Sequence, residues 1–262
     1  MDAQAAQVEF LNFHAGLFRI VSALATCLTL ALIAFIFDRD ATSAEAELAK
    51  AHERSEKLLL NILPGSISER LKRGEQSIAD GLAEVTVLFA DIVGFTQLSQ
   101  RMPPEELVAA LNEVFSAFDD LALKHGLEKI KTIGDCYMAA SGLPEPRDDH
   151  AQAAVRMALE MVATLRAIDE RRGHCLEVRI GLHSGPVVAG VIGKQKFIYD
   201  LWGDTVNTAS RMESHGEKGR VQVSAATWAL VKDAFVTEER PPMQIKGKGE
   251  MQPHLVLGPR VA

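Results

Sequence analysis

The spacing of hydrophobic and polar positions changes along this chain, and the first pattern is an uncharged apolar run. Residues 20–37, IVSALATCLTLALIAFIF, contain no Asp, Glu, Lys or Arg. As a helix rising 1.5 Å per residue, they span about 27 Å, enough to cross the hydrocarbon core of a membrane. A buried helix and a signal peptide are the alternatives, but Asp2 and Glu9 are not the basic start of a signal peptide. We predict an N-terminal segment at 1–19 and a transmembrane helix at 20–37.

Basic residues are unevenly distributed around this run. Arg39, Lys50, Arg54 and Lys57 follow it, whereas Arg19 alone precedes it. Positively charged flanks of a membrane helix stay on the cytoplasmic side. We therefore expect a protein of the cell membrane whose remaining chain is cytoplasmic.

Residues 38–80 form the next stretch, in which helical spacing continues with polar residues. A possible coiled-coil seam, with spacings that alternate between four and three, consists of Ala44, Leu48, Ala51, Ser55, Leu58 and Ile62. The alternative is a solvated helix with an accidental stripe, because half of these positions are small or polar. Pro64 and Gly65 are expected to end this helix, and Ile67 to Asp80 to form a charged connector.

From Glu84 onward, strand and helix patterns alternate. We predict strands at Glu84–Ala90, on both sides of Gly134-Asp135 within Leu127–Ser141, at Glu177–Leu182 and at Val187–Ile192, the last two separated by a bend at Ser184–Pro186. We predict helices that start at Pro103-Pro104 and end at Gly126, and at His150–Ile168 and Thr205–Ser214. The order β-α-β-β-α-β is typical of an α+β, ferredoxin-like split βαβ fold. We place this domain at 81–262.

Composition limits the ligands that this domain can bind. A net charge of −7 argues against a nucleic-acid partner, so a polyanionic ligand would need local basic groups or metal ions. Cys27, Cys136 and Cys175 lack the spacing of metal ligands. We expect free thiols in a reducing compartment.

Two aspartates are candidates for a metal site. Asp91 ends the apolar run VTVLFADIVGFT, and Asp135 lies in the predicted hairpin turn. If those strands are neighbours, both carboxylates reach one point, where Mg²⁺ or Mn²⁺ could bind through them and through phosphate oxygens. The alternative for Asp91 is a helix or turn cap. Backbone N–H groups of residues 92–96, which turn at Gly94, could hold phosphate without a net charge.

Longer motifs resemble a known family. VTVLFADIVGFT, EKIKTIGDCYMAASG, VRIGLHSGPVVAGVIG and YDLWGDTVNTASRM are similar, in this order, to the signatures of class III nucleotide cyclases. The resemblance covers roughly Glu84 to Leu257, and NILPGSISERLKRGE resembles the helical connector that precedes such catalytic domains. It implies a cyclase catalytic domain, here of the membrane-anchored bacterial adenylate cyclase type.

The resemblance also implies two divalent cations per site. Asp91, Asp135 and the backbone carbonyl of Ile92 would bind Mg²⁺ or Mn²⁺, and Gly94, Phe95 and Thr96 would bind the substrate. The ions would activate the ribose 3′-hydroxyl and neutralise the triphosphate, so that the hydroxyl attacks the α-phosphorus and pyrophosphate leaves.

The remaining site residues are assigned in the same way. Asn207 would orient the ribose, and Arg211 would donate to the α-phosphate, although spacing alone describes only an i, i+4 surface pair. Lys246 would reach the terminal phosphates, with Lys248 as the other candidate.

The substrate follows from the residues that would contact the base. Lys131 can donate to adenine N1 and Asp200 can accept from the N6 amine, with Leu201 beside them, whereas guanine would mismatch both polar contacts. In the resembling family this pair marks adenylate cyclases, while guanylate cyclases carry Glu and Cys there. We therefore expect ATP as the substrate. A guanylate cyclase, a non-catalytic nucleotide sensor and a membrane scaffold remain as alternatives.

The resemblance further implies a homodimer with two shared sites, each with metal ligands from one subunit and base and transition-state residues from the other. The membrane helix and the connector would raise the effective concentration of the two catalytic domains. No residue pattern identifies an upstream regulator. Gly193-Lys194 is not part of a P-loop, and we expect His183 and Trp202 to have structural roles.

Overall fold

The structure, a computed structural model, describes residues 2–75, 77–95, 99–173, 176–193, 197–245 and 247–260. Cys175, Thr96 and Lys246, for which the sequence makes predictions, lie outside these ranges. The chain divides after Asn61 into two compact units.

The first unit is a single helix, α1 (Asp2–Leu60). Its segment from His14 onward is long and apolar enough to cross a membrane, with a mean hydropathy of 2.6 in its most apolar window, and the side chains of that window are all exposed. This criterion concerns length and composition alone, so the membrane position stays a prediction. Leu48 and Leu58 of the predicted seam are also exposed, and the coiled coil likewise stays a prediction.

The second unit begins with a short helix inside NILPGSISERLKRGE, the segment whose resemblance implies a helical connector. Helix α2 (Gly65–Lys72) follows Pro64, whose φ of −55° suits a helix start. Leu63 and Ile67 are each only 2% exposed. Because these apolar side chains are buried, α2 belongs to the second unit.

The central sheet is built from the elements that the sequence predicts. In chain order these are β1 (Ala79–Val93), α3 (Pro104–His125), β2 (Glu128–Ile133), β3 (Cys136–Ser141), α4 (His150–Arg172) and β4 (Glu177–Ile192). The strands lie in the order β2-β3-β1-β4, and each neighbouring pair is antiparallel. This β-α-β-β-α-β arrangement confirms the ferredoxin-like prediction.

The prediction of two strands with a bend at Ser184–Pro186 was wrong. Residues 177–192 form one strand, β4, which pairs with β1 along its length. The register shifts between Leu82 and Val85 of β1, opposite Pro186. A proline cannot donate to a neighbouring strand, so it is tolerated at such a bulge without ending the strand.

The C-terminal part adds elements beyond the ferredoxin-like core. These are β5 (Ile198–Trp202), α5 (Asp204–Ser214), β6 (Val221–Ser224), α6 (Ala225–Val231), β7 (Phe235–Glu239), β8 (Met243–Ile245), β9 (Gly249–Met251) and β10 (Pro253–Pro259). Strand β6 runs parallel to β4 and extends the sheet to β10 and β7, and β5 pairs with the second half of β4.

The main core lies between helices α3 and α4 and the sheet. Phe118 of α3, Met157 and Met161 of α4, and Leu182 of β4 are fully buried in it. Helix α3 ends at Gly126, whose φ of 68° is a left-handed conformation that glycine adopts without strain. Helices α3 and α4 cover one face of the sheet, whereas α5 packs on the other face, where its backbone at Met212 and Glu213 approaches Gly181 of β4.

Candidate functional site

The two candidate metal-binding aspartates lie side by side in the structure. Asp91 of β1 pairs with Cys136 of β3, directly after the turn that carries Asp135. The Ile92 amide donates to the Asp135 carbonyl oxygen at 3.4 Å. Burial raises the pKa of the Asp91 carboxyl, and the negative charge of Asp135 raises it further. The register of β1 and β3 therefore brings these carboxylates to one place.

A basic residue that the sequence analysis did not single out also meets Asp91. Arg179 of β4 is the register partner of Asp91 on the other side of β1. Its Nη2 lies 3.3 Å from Asp91 Oδ2, and its Nε donates to Glu213 Oε1 of α5 at 2.7 Å. The strand pattern in VRIGLHSG could have indicated this residue. Arg179 alternates with the buried Val178 and Ile180, so its side chain lies on the other face of the sheet.

The aspartates fit a divalent cation by their chemistry. Asp91 and Asp135 are hard oxygen donors whose mutual repulsion a cation would relieve. The carbonyl of Ile92 is a further candidate donor. No cluster of three or more His, Cys, Asp or Glu suited to a metal occurs among the described residues. An ion here would therefore take its remaining ligands from water or phosphate, as Mg²⁺ usually does.

The candidate base-reading residues contact each other. Lys131 Nζ of β2 donates to Asp200 Oδ2 of β5 at 2.5 Å. Asp200 Oδ1 accepts from the amide of Leu201 at 2.8 Å. The Asp200 side chain is 12% exposed and that of Lys131 is 36% exposed. The largely buried carboxylate of Asp200 is thus a fixed acceptor for the more exposed Lys131.

Asn207 and Arg211 share one exposed face of α5. They line an open cavity of about 460 Å³ with Asp204, Ser210, Gly247 and Lys248. The Lys248 ammonium contacts the Asp204 carboxylate. Lys248 is therefore the basic residue that the structure places beside this pair, and the prediction for Lys246 stays untested.

The turn after Asp91 requires a glycine. Gly94 has a φ of 79°, which is unfavourable for residues with a side chain. Phe95 follows and packs against the main core. The core thus fixes the backbone that follows the aspartate.

Three further predictions concern histidine, cysteine and tryptophan residues. His183 Nδ1 hydrogen-bonds Ser224 Oγ at 2.7 Å, and burial lowers the pKa of His183 to about 4, which fits a neutral structural histidine. Cys27 and Cys136 are free thiols, and burial raises the pKa of Cys136 to about 12. Trp202 is 38% exposed, so it is not a core residue of the isolated chain.

Helix α5 directs its polar residues to opposite sides. At about 100° per residue, Glu213 lies about 200° around the helix from Arg211. Asn207 and Arg211 are exposed, whereas Glu213 is 7% exposed and faces Arg179. Within one chain, the residues of the open cavity and the aspartate site therefore lie on different sides of α5.

Strands β4 and β5 carry an exposed apolar surface. The cross-strand pairs Val188–Trp202 and Ile192–Ile198 form it, and these four side chains are between 38% and 51% exposed. The pair Gly190–Asp200 lies between them on the same face. Exposed apolar patches commonly mark interfaces when they are large.

Comparisons with known proteins identify the family of this domain. Residues 79–258 match the protein family described as "Adenylate and Guanylate cyclase catalytic domain". An adenylate cyclase of Mycobacterium tuberculosis (strain H37Rv) is 49% identical over 225 residues, which are 86% of this chain and 51% of that protein. The chain thus spans about half the length of this relative. Human atrial natriuretic peptide receptor 2 is 44% identical over 212 residues, which are 79% of the chain and 20% of the receptor.

Solved structures give the same result. The adenylyl cyclase CyaB from P. aeruginosa is 31% identical with a TM-score of 0.66, and the match covers 70% of this chain and 97% of that one. The catalytic core of a rhodopsin-guanylyl cyclase with converted specificity, in complex with ATPalphaS, is 42% identical with a TM-score of 0.66. This second match covers 69% of this chain and 98% of that one.

Proposed function

The chain belongs to the family of adenylate and guanylate cyclase catalytic domains, and we propose that it converts ATP into 3′,5′-cyclic AMP and pyrophosphate. The observation that carries the choice of ATP is the pairing of Lys131 with a buried Asp200. In the proposed reaction the ribose 3′-oxygen bonds to the α-phosphorus, the bond from that phosphorus to the pyrophosphate oxygen breaks, and the hydroxyl proton passes to solvent.

Adenine recognition follows from the hydrogen-bonding groups at this pair. Lys131 is a donor without an acceptor, which suits adenine N1, and the Asp200 carboxylate is an acceptor, which suits the N6 amine. Guanine presents a donor and an acceptor in the reverse places. Each unpaired buried polar group costs about 1–3 kcal/mol, which is enough for strong discrimination.

We propose that the aspartate site and the residues of the open cavity both act on the phosphate groups of ATP. Divalent cations held by Asp91, Asp135 and the Ile92 carbonyl would supply positive charge for the triphosphate and acidify the attacking hydroxyl. Arg211 would donate to the α-phosphate as charge builds there, Asn207 would orient the ribose, and Lys248 or Lys246 would reach the terminal phosphates. Gly94 to Thr96 would supply backbone contacts.

A second copy of the chain completes this site in our proposal. This proposal is supported by the positions of the aspartate site and the pair Asn207–Arg211 on different sides of α5, because a partner chain could then bring the missing half to the same phosphate. The exposed apolar surface on β4 and β5 is suited to a partner. A two-fold dimer would contain two equivalent sites with contributions from both chains.

Membrane attachment is proposed for helix α1. Its apolar segment meets the length and composition of a membrane span. Anchoring would concentrate the catalytic units at the cytoplasmic side of the cell membrane.

A guanylate cyclase is the second candidate, because guanylyl cyclases are also among the similar proteins. The purified full chain should be incubated with Mn²⁺ and either ATP or GTP, and the products separated by chromatography. We expect cyclic AMP from ATP and a much smaller yield of cyclic GMP. Predominant cyclic GMP would support the second candidate, and no cyclic product would favour the non-catalytic sensor or the scaffold.

A further inference from the structure

We propose that Glu213 is a positioning residue that holds Arg179 partly away from Asp91 and so keeps Asp91 available to a divalent cation. This inference rests on the proposed function, because it assumes that the aspartates bind a metal ion. It assigns a role to a residue of α5 that does not itself touch the substrate.

The geometry shows one guanidinium shared by two carboxylates. Arg179 donates from Nε to Glu213 at 2.7 Å, whereas its contact from Nη2 to Asp91 is longer, at 3.3 Å. The shorter contact is the stronger one. Glu213 therefore restrains the guanidinium, and the contact from Arg179 to Asp91 is a single long one on Oδ2.

The exposed fractions of the three side chains show that Glu213 is the most buried of them. The Glu213 side chain is 9% exposed, whereas those of Arg179 and Asp91 are 26% and 25% exposed. A carboxylate that has left water needs a partner to offset its lost hydration. Arg179 is the partner that the structure provides, so the ion pair with Glu213 cannot be given up without cost.

The backbone of Glu213 is held as firmly as its side chain. A Cβ atom at Gly181 of β4 would collide with the backbone of Met212 and Glu213, so α5 lies directly on β4 at this point. Since α5 cannot shift toward the sheet, the distance from Glu213 to Arg179 is set by the packing of these two elements.

Removal of Glu213 would change the competition at Asp91. An unrestrained Arg179 could turn both ends of its fork to Asp91 and form the bidentate pair that guanidinium and carboxylate favour. A cation would then have to displace a stronger partner. Partners of metal-ligating side chains typically contribute 10–100-fold to metal affinity, so we expect about a tenfold effect.

The experiment measures binding of Mn²⁺ alone to the purified full chain by electron paramagnetic resonance, without nucleotide. We expect Glu213→Ala to weaken Mn²⁺ binding about tenfold. Glu213→Gln keeps an oxygen that accepts from Arg179 Nε, so it should retain most of the affinity. Glu217→Gln is the matched control, because Glu217 pairs with Arg240 outside the site.

In an Arg179→Met background, an effect of Glu213 on Mn²⁺ affinity that acts through Arg179 can be distinguished from an effect of the Glu213 charge. If Glu213 acts through Arg179, Glu213→Ala should have little further effect on Mn²⁺ affinity in this background. An undiminished effect there, or equal losses for the Gln and Ala variants, would mean that Glu213 acts by its charge and would overturn the proposal. Thermal unfolding of each variant shows whether it is folded. If the Ala variant is not folded, a loss of Mn²⁺ affinity in the folded Gln variant would still overturn the proposal, because this variant keeps the acceptor for Arg179 Nε.

Failure of this inference is distinguishable from failure of the proposed function. Unchanged Mn²⁺ affinity in Glu213→Ala, with cyclic AMP formed by the wild-type chain, would refute the positioning role alone. A wild-type chain that binds no Mn²⁺ without nucleotide but forms cyclic AMP would likewise refute only the positioning role, and one that neither binds Mn²⁺ nor forms cyclic AMP would refute both.

Discussion

At the scale of single residues, the site depends on which charged groups are forced to share a small volume. Asp91 interacts electrostatically with Asp135, Arg179 and Glu213, while Lys131 and Asp200 form a separate pair. The order of the motifs identified the candidate site residues, but it did not predict which of these residues contact each other. The role of Arg179 depends on the register of β1 against β4, which joins residues 88 positions apart.

The first prediction concerns the base-reading pair. Replacing Lys131 by Glu and Asp200 by Cys should lower the ATP kcat/KM at least about tenfold and shift the preference toward GTP, because two matched polar contacts become mismatched. Steady-state kinetics with both nucleotides measures this. An unchanged preference for ATP would show that these residues do not read the base.

A second prediction concerns pH. Burial raises the pKa of Glu128 from 4.5 to about 7. Between these values the folded chain keeps a proton that the unfolded chain releases, so the free energy of unfolding falls as pH rises through this window. Glu128→Gln removes this dependence and should stabilise the protein at pH 8 but not at pH 4.5.

The size of this effect is modest because Glu128 is partly exposed. We expect a gain of about 1 kcal/mol at pH 8, which corresponds to about 2–4 °C in Tm. Glu145→Gln, at an exposed position, is the control and should leave Tm unchanged at both pH values. A gain for Glu128→Gln that is equal at both pH values would contradict the assignment.

At the scale of elements, the periodicity of apolar residues predicted most of the fold and missed features that depend on tertiary pairing. Helix α3 and the hairpin around Gly134 followed from local signals. The apparent bend at Pro186 did not, because the bulge in β1 that accommodates it is distant in sequence. Helix α2 lies within the segment that resembles a helical connector, but the burial of Leu63 and Ile67 against the second unit did not follow from local periodicity.

The third prediction tests the contact of α5 with β4. Gly181→Ala would push α5 from the sheet, because an added Cβ collides with the backbone of Met212 and Glu213. We expect a loss of about 1–3 kcal/mol in stability from this overpacking, together with loss of most activity. Chemical denaturation and cyclase assays measure the two effects.

The matched control for this variant is Gly81→Ala. A Cβ atom at Gly81 of β1 would meet no atom within 4 Å. Stability and activity should therefore stay near wild type. If both variants behaved alike, the close approach at Gly181 would not be what positions α5.

At the scale of the whole molecule, the central claim is that two chains share each active site. Sequence alone could suggest this through resemblance, but the physical reason lies in α5, which turns Arg211 and Glu213 to opposite sides. The exposed pairs on β4 and β5 give a surface on which a second chain could pack.

Complementation between two inactive variants tests this claim most directly. Asp91→Ala and Arg211→Ala should each lack cyclic AMP formation from ATP and Mn²⁺. Co-expressed at equal levels, they form mixed dimers in which one of the two sites has every residue intact. About half of all dimers would be mixed, so we expect about a quarter of wild-type activity. Activity no higher than that of the separate variants, with mixed dimers demonstrated, would place each site within one chain and contradict the account.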